Sequence, residues 1–418
     1  MNRRTFVQSL LALSASATLS AQPRRAPRIL LCSAWQVVNI GDIAHTPGAL
    51  AVLEQHLPEA EVTLWLFNPL TPEARDLLMR RFPRLTIVEG EVKADFTVDA
   101  PAVLAAMDRS DFLLHGSGPS TLAWRHAEAF MRRTGRGFGV QGVTYGLYGK
   151  PERETLSKAR FVFFRDSVSL ALAREDGVRA PVMEFGPDTA FATDLRDDAR
   201  AARFLAAHQL EPGGFLCCIA RYRHTPFWTM PTKATPFHPE RHARNEEMKE
   251  RDHAPLLEAI QSVVRETSLK VLLCPEDESQ MRISRENLYD RLPADVRSRV
   301  VWRETFWLPD EAISVYRQSA GLFGHEMHSP IMCIGHGVPA IVCRWAEQSS
   351  KGIMWRDIGL GDWLFDLDLP EESARVAPAV LALARDPAGA RARAAAAGQR
   401  VRDRLKENIA TLATHLPT

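Results

Sequence analysis

From Arg28 onward, short apolar runs alternate with segments in which apolar residues recur every three or four positions. Runs such as "ILLCSAW", "VTLWLF", "DFLLHGSG" and "RFVFFRD" have the length and continuity of strands that are buried on both faces. The intervening segments, such as "PGALAVLEQHL" and "LAWRHAEAFMRR", have the apolar spacing of amphipathic helices. Strand and helix alternating in this way predict a parallel sheet with helices on both faces.

The alternation stops near residue 190 and restarts after a polar connection and one helical segment. The second series contains "FLCCIAR", "KVLLCPE", "GLFGHE" and "PAIVCRW", again separated by helix-period segments. We therefore predict an α/β protein with two Rossmann-like, doubly wound domains, residues 28–195 and 205–368, and C-terminal helices in residues 369–418. Within the second domain we expect a loop of about thirty residues at 221–253, long enough to act as a lid or binding loop.

Residues 1–21 carry a different pattern. Arg3 and Arg4 precede Phe6, and a modest stretch rich in Ala, Ser and Leu ends in small residues near Ala21. This order is typical of a twin-arginine signal peptide, so we expect an exported protein of the periplasm or cell envelope that engages the export machinery. The apolar stretch is too short and too weak to predict a stable membrane span.

Composition narrows the class of protein only slightly. The 418 residues are 45% hydrophobic and 25% charged, which is ordinary for a soluble globular protein. A net charge of +1 gives no reason to expect nucleic acid as a partner. The six cysteines are scattered without a CxxC pair, and no Walker loop, GxGxxG or GxSxG motif occurs. We expect no metal and no cofactor.

Ligands of open α/β sheets bind beyond the carboxyl ends of the strands, so polar residues directly after each predicted strand are the candidates. The first is the turn "NIGD", where Asp42 or Thr46 is expected to cap the next helix and free backbone N–H groups suit an anion. The others in the first domain are His115, Gly116, Gly118, Gln141, Tyr145 and Arg165, and those in the second are Arg221, Arg223, His224, Glu276, Glu278, His325, Glu326, His328, Arg344 and Lys351.

Two of these groups carry chemistry of their own. In "HEMH", residues 325–328, two residues separate the histidines instead of the three of the zincin motif, which excludes a metalloprotease. Arg221 and Arg223 after a buried strand suit a bidentate grip on phosphate or carboxylate, and a solvated surface pair is an equally good interpretation.

The ordered motifs "NIGD", "HGSG", "GVTYG", "FFRDSVSLALAREDGV", "FGPDTAF", "CCIAR", "KVLLCPEDE" and "HEMHSPIMCIGHGVPAIV" resemble the polysaccharide pyruvyl transferase family over about residues 28–365. The resemblance implies two Rossmann-like domains facing each other across a cleft, as in glycosyltransferase-B enzymes. It also implies transfer of a pyruvyl group, as a ketal, from phosphoenolpyruvate to a glycan. The family's histidine, arginine and lysine correspond to His328, Arg221 and Lys351.

Glu326 occupies the position of the arginine in the family's Arg-Leu-His pattern, and Gly116-Ser117-Gly118 replaces its three glycines. We take His328 and Glu326 as the candidate catalytic residues. The candidates for binding the anionic donor are Arg221, Arg223, Lys351 and Arg165, and those for the acceptor or cleft loop are Asn39, Gly41, Asp42, His115, Gly116 and Gly118.

Two other functions stay open at this point. One is a glycosyltransferase-like group-transfer enzyme that uses another donor. The other is an exported glycan-binding protein that keeps the fold without catalysis. The acidic side chain of Glu326, where the family has a cation, and the predicted export signal support these two alternatives, while a pyruvyl transferase that acts on a cell-envelope glycan is the leading hypothesis.

Overall fold

The computed structural model describes residues 25–66, 68–233 and 235–417. Its first sheet is entirely parallel, with strand order β3-β2-β1-β4-β5-β6-β7. The strands are β1 (Arg28–Ser33), β2 (Glu61–Leu66), β3 (Thr86–Glu89), β4 (Phe112–His115), β5 (Phe138–Val143), β6 (Val162–Phe164) and β7 (Met183–Phe185). Because β1 and β4 are buried on both faces, they read as continuous apolar runs in the sequence.

The second sheet is also parallel, with strand order β10-β9-β8-β11-β12-β13. Its strands are β8 (Phe215–Ile219), β9 (Lys270–Leu273), β10 (Val300–Trp302), β11 (Gly321–Gly324), β12 (Ala340–Arg344) and β13 (Leu364–Asp366). In each sheet the order reverses beside the first strand of the domain, which places a topological switch point there. The predicted α/β class, with two doubly wound sheets, is confirmed.

Helices connect the strands in both domains. Those of the first domain are α1 (Ile40–His56), α2 (Pro72–Arg81), α3 (Pro101–Arg109), α4 (Trp124–Thr134), α5 (Lys150–Leu156) and α6 (Ser167–Glu175). Those that follow are α7 (Asp198–Ala207), α8 (Pro239–Glu266), α9 (Gln280–Asn287), α10 (Ala294–Arg297), α11 (Pro309–Tyr316), α12 (His328–Gly335), α13 (Met354–Asp357), α14 (Pro370–Ser373), α15 (Val376–Arg385) and α16 (Pro387–Ala413).

Helix α1 begins earlier than the sequence predicts. Its N-cap is Asn39, whose backbone is extended and whose side-chain oxygen accepts hydrogen bonds from the N–H groups of Gly41 (2.7 Å) and Asp42 (3.3 Å). Asp42 therefore lies in the first turn, and Pro47 lies inside the helix. The prediction that Asp42 or Thr46 caps this helix was wrong, because Asn39 satisfies the first free N–H groups before either residue is reached.

The predicted loop at 221–253 is shorter in the structure, because α8 already begins at Pro239. The buried face of the first half of α8 carries Asn245, Met248, Asp252 and His253. Since three of these four residues are polar, the segment lacks the apolar periodicity that indicates a helix. What remains of the loop is residues 220–238, with one short 3₁₀ turn at Phe227–Thr229.

The C-terminal helices pack against both domains. In α16, Arg404 Nε donates to the carbonyl of Phe185 in β7 (2.7 Å), and Gly398 lies against the carbonyl of Ile334 in α12. One continuous apolar core contains residues from both sheets and from α16, including Leu31, Leu216 and Leu405. The two sheets are therefore joined by packing as well as by the chain.

Two further predictions concern export and membranes. The export signal predicted at residues 1–21 lies outside the described residues. Among the residues that the structure describes, no helix is long and apolar enough to cross a membrane.

Candidate functional site

The two domains meet at the turns that follow β1 and β9. Ile40 N donates to the carbonyl of Glu276 (2.9 Å), and Glu278 N donates to the carbonyl of Val38 (3.2 Å). A cavity of about 90 Å³ lies at this junction. Its lining residues come from both domains and are Gln36, Asn39, Arg221, Thr225, Phe227, Asp277, Glu326, His328 and Lys351.

His328 is the first residue of α12, four positions after β11 ends. Its Nδ1 lies 3.2 Å from Glu276 Oε1, and its Nε2 lies 3.2 Å from Lys351 Nζ. Because a carboxylate only accepts and an ammonium only donates, Nδ1 carries the proton and Nε2 offers a lone pair. Burial, followed by the charge of Lys351, holds the pKa of His328 well below its usual value. The ring is therefore a neutral imidazole of fixed orientation.

The Glu276 side chain fixes the orientation of the His328 ring through Nδ1. This side chain is fully buried, and its Oε2 accepts a hydrogen bond from Ser329 N (2.6 Å) in the first turn of α12. Oε1 also faces Asn39 Nδ2 (3.4 Å) of the first domain. A single carboxylate thus contacts His328, the N-terminus of α12 and the opposite domain.

Gly41 allows the two domains to approach at this point. A Cβ built on Gly41 would overlap Cβ and Cγ of His328. The N–H groups of Gly41 and Asp42 already donate to Asn39, and that of Ile40 donates to Glu276. The expectation of free N–H groups for an anion is therefore wrong at these three residues, and the glycine serves close packing against His328.

Two carboxyl groups share one amide at the cavity wall. Gln280 Nε2 donates to Glu326 Oε1 (2.6 Å) and to Asp277 Oδ2 (3.1 Å). Burial raises the pKa of Glu326 to about 7, and burial together with the Glu326 charge raises the pKa of Asp277 to about 7. Arg221 Nη1 lies 3.2 Å from Glu326 Oε2. The cavity therefore holds two proton donors that are partly protonated at neutral pH, and its arginine is already paired.

Lys351 lies in a 3₁₀ turn, Ser350–Ile353, after β12. Burial and the nearby Arg165 guanidinium lower the pKa of Lys351 to about 8. Arg165 itself does not line the cavity: it is buried, and it donates to Thr144 Oγ1 (2.7 Å) and Asp188 Oδ2 (2.9 Å). The structure thus places Lys351 at the cavity and Arg165 behind it.

Arg223 lies in a different environment from Arg221. Its buried guanidinium donates to both oxygens of Asp252 (2.8 and 2.9 Å), to Asp368 (2.7 Å) and to Glu347. Three carboxylates surround it, and it does not reach the cavity. Arg223 therefore joins the β8 loop to α8 and to the segments after β12 and β13.

The predicted residues His115, Gly116 and Gly118 are likewise not brought to the cavity. His115 is fully buried; its Nδ1 bonds the carbonyl of Gly116 (2.7 Å), and its Nε2 accepts from Ala123 N (3.1 Å). Burial lowers the pKa of His115 to about 3. A Cβ on Gly118 would lie 3.0 Å from Trp35 Nε1. These residues shape the loop that follows β4.

Within the described residues, Asp42, His45 and His328 could hold a metal ion, since their ligand atoms lie within 4.8 Å of one another. His45 Nδ1 bonds Asp188 Oδ1 (2.8 Å), and its Nε2 has no hydrogen bond. However, the lone pair of His328 Nε2 already accepts from Lys351, whose positive charge opposes a cation there. We assign no metal to this cluster.

Sequence reasoning missed residues of two kinds: those that line the cavity, Gln36, Thr225, Phe227 and Asp277, and those that support it, Gln280, Asp188 and His45. Asp277 stands in "PEDE" directly after β9, and Asp188 in "GPD" after β7, so both follow strand ends. His45 lies inside α1 and Gln280 begins α9, so neither was selected by a search for polar residues directly after strands.

Solved structures with a similar fold include proteins bound to nucleotide sugars. HepE from Anabaena, solved with UDP-glucose, has a TM-score of 0.56 and 12% identity, over 93% of this chain and 99% of that one. The UDP-GlcNAc 2-epimerase from Neisseria meningitidis, solved with UDP-GlcNAc, has a TM-score of 0.54 and 12% identity, over 93% and 100%. The corresponding enzyme from Methanocaldococcus jannaschii has a TM-score of 0.53 and 11% identity, over 84% and 92%.

At such identities the likeness shows the fold alone, and that fold is the glycosyltransferase-B-like pair of Rossmann domains. No curated protein matches the chain in sequence. The family model described as polysaccharide pyruvyl transferase matches residues 39–347, from the N-cap of α1 to beyond β12. The chain belongs to the polysaccharide pyruvyl transferase family.

Proposed function

We propose that this protein transfers a pyruvyl group from phosphoenolpyruvate to two hydroxyl groups of a glycan. The observation that carries the proposal is the convergence of His328, Glu326, Arg221 and Lys351 on one cavity between the domains. Because the sequence predicts export, we propose a cell-envelope polysaccharide as the acceptor.

The reaction needs a proton donor, a base and cationic groups, and each has a candidate. A protonated carboxyl of Glu326 or Asp277 delivers a proton to the donor methylene, which becomes a methyl group. When the Lys351 ammonium turns from His328 to the donor, the neutral Nε2 of His328 takes the proton of the attacking hydroxyl, whose oxygen bonds to C2 of the donor. The C2–O bond to phosphate then breaks, phosphate leaves with the bonding electrons, and the second hydroxyl adds to C2 as its proton is lost to phosphate.

Lys351 and Arg221 are the cations available to the donor's carboxylate and phosphate. For Arg221 this requires that Glu326 be neutral or turned away, since the carboxylate now occupies one face of the guanidinium. Proton uptake by Glu326 on donor binding meets that requirement and leaves the acid protonated for the first step.

A second candidate is group transfer from another donor, and the ion pair between Arg221 and Glu326 favours it. A carboxylate beside the donor site opposes phosphoenolpyruvate, a trianion, more than it opposes a dianionic donor such as a UDP-sugar. Since HepE and the Neisseria epimerase were solved with UDP-sugars, nucleotide sugars are the donors to compare.

The test offers phosphoenolpyruvate or UDP-sugars to the protein together with envelope polysaccharide, and follows released phosphate, released UDP and the mass of the glycan. We expect phosphate release that depends on glycan, and a glycan that gains a pyruvyl ketal. His328→Gln should remove both signals, and His208→Gln, at an exposed histidine that does not line the cavity, serves as the matched control and should keep them. Release of UDP would support the second candidate. Glycan binding without any release would mean a binding protein.

A further inference from the structure

The loop after β8 forms part of the wall of two cavities. Arg221, Thr225 and Phe227 line the cavity between the domains, whereas Tyr222 and Trp228 line a second one of about 310 Å³. The other walls of this second cavity come from α8 and α9. The first cavity has only about 90 Å³, which is too small for more than the reacting end of a glycan. Because the same loop lines both cavities, the larger cavity lies beside the smaller one.

Aromatic rings form one side of the second cavity. Trp228 is half-buried and packs edge to face against Phe237, with ring centroids 5.6 Å apart, and against His242 at 6.4 Å. Tyr222 is buried, and its hydroxyl accepts a hydrogen bond from Asn287 Nδ2 (3.1 Å). The half-buried indole of Trp228 at the cavity wall, next to polar groups, suits the C–H face and hydroxyl rim of a pyranose.

The charges around the second cavity are compensated. Each of its cations has an acidic neighbour: Lys249 with Glu246 (2.6 Å), Arg291 with Glu250, and Arg282 with Glu286 (3.9 Å). An anionic ligand would have to displace these carboxylates, whereas sugar hydroxyl groups can bond to paired donors and acceptors without separating them. The chemistry of the cavity therefore favours an uncharged, polyhydroxylated ligand.

We propose that this second cavity is a carbohydrate subsite, which binds neutral sugar residues of the acceptor at a distance from the reacting hydroxyls, with Trp228 as the stacking surface. That the bound sugar belongs to the acceptor rests on the proposed function. The proposal that this cavity binds sugar does not depend on the proposed function.

The binding test needs no donor and no turnover. Cello-, malto-, xylo- and β-1,3-gluco-oligosaccharides are titrated into the protein, and tryptophan fluorescence and calorimetric heat are recorded. We expect at least one series to bind more tightly with increasing length, and Trp228→Ala to weaken that binding about tenfold or more. Trp124→Ala is the matched control, because Trp124 is also half-buried and lines neither cavity, so its binding should equal that of the wild type. An unchanged melting temperature for Trp228→Ala shows that the variant folds.

The outcomes separate the subsite from the reaction. Binding that persists in Trp228→Ala, or the absence of binding in all four series, would overturn the subsite, as would competition by inorganic phosphate at equal concentration. In turnover, Trp228→Ala should raise the KM for a long glycan and leave that for a short acceptor unchanged. Should oligosaccharides bind at Trp228 while no group is transferred, the proposed function fails and the subsite stands. Should transfer proceed with the same KM in the variant, the assignment of the bound sugar to the acceptor fails, and the proposed function stands.

Discussion

Replacing Glu326 by Gln shows how the cavity between the domains responds to an anion. Glu326 Oε2 lies 3.2 Å from Arg221 Nη1, so an anion on that guanidinium comes close to the carboxylate. At a separation of about 5 Å and an effective dielectric constant of about 20, two negative charges repel by about 3.3 kcal/mol. The protein can avoid this repulsion by taking up a proton on Glu326 when the anion binds.

The pKa of Glu326 sets the cost of that proton. Burial raises this pKa to about 7, so protonation lowers the affinity for an anion by a factor of about 2 at pH 7 and about 10 at pH 8. Both factors correspond to a smaller free energy than the repulsion between the two negative charges. The protein therefore takes up the proton, and the cost of protonating Glu326 sets the loss of anion affinity. We therefore expect Glu326 to make sulfate affinity fall about tenfold from pH 6 to pH 8, a component that Glu326→Gln should lack.

Calorimetric titration with sulfate measures this effect, because sulfate keeps its charge over the whole range. Lys351, whose pKa is lowered to about 8, loses charge at the upper end in both proteins, so the quantity compared is the difference between wild type and variant. The pKa of Asp277 is raised to about 7 as well, and the double variant with Asp277→Asn isolates its part. Parallel curves for wild type and Glu326→Gln would refute the reasoning.

Three further substitutions test other contacts. His328→Gln should lower kcat by about 10²- to 10⁴-fold with donor affinity nearly kept, because a proton carrier is lost; an unchanged kcat would exclude His328 from catalysis. Gly41→Ala should displace the His328 ring, lowering kcat and costing about 1–3 kcal/mol of stability through overpacking, and a more stable, fully active variant would contradict this. Arg223→Met should cost about 3–5 kcal/mol in urea unfolding, because it leaves the buried Asp252 carboxylate unpaired. Sulfate affinity should stay within about twofold in Arg223→Met, and a large loss would return Arg223 to the anion site.

Local pattern predicted the central strands of both sheets well because those strands are buried on both faces. Strands β4 and β5, for example, are apolar almost throughout and stand out in the sequence without any tertiary information. The beginning of α8 could not be found in this way, because Asp252 on its inward face is buried against Arg223, which is distant in sequence. A polar face that is satisfied by tertiary contacts looks like a solvated one in the sequence.

The strand-end rule, which selects polar residues directly after predicted strands, found part of the site. It selected Asn39, Arg221, Glu326, His328 and Lys351, which the structure brings together at one cavity. It could not separate these from the residues that turned out to lie elsewhere, such as Arg165, Arg223 and His115. Which of two arginines faces a cavity depends on the carboxylates that approach from other segments, and those contacts are set by the fold as a whole.

The packing of α16 against both domains limits how the cleft can exchange its contents. Separating the sheets like a hinge would break the contact of Arg404 with β7 and expose a core that runs through both domains. Because of that cost, we expect wide opening of the cleft to be rare. Substrate traffic is therefore expected to depend on displacement of residues 224–229, which are more exposed than the start of the loop after β8 and include Thr225 and Phe227 at the cavity. The rate of turnover would then be tuned by a short surface segment while the two domains stay together.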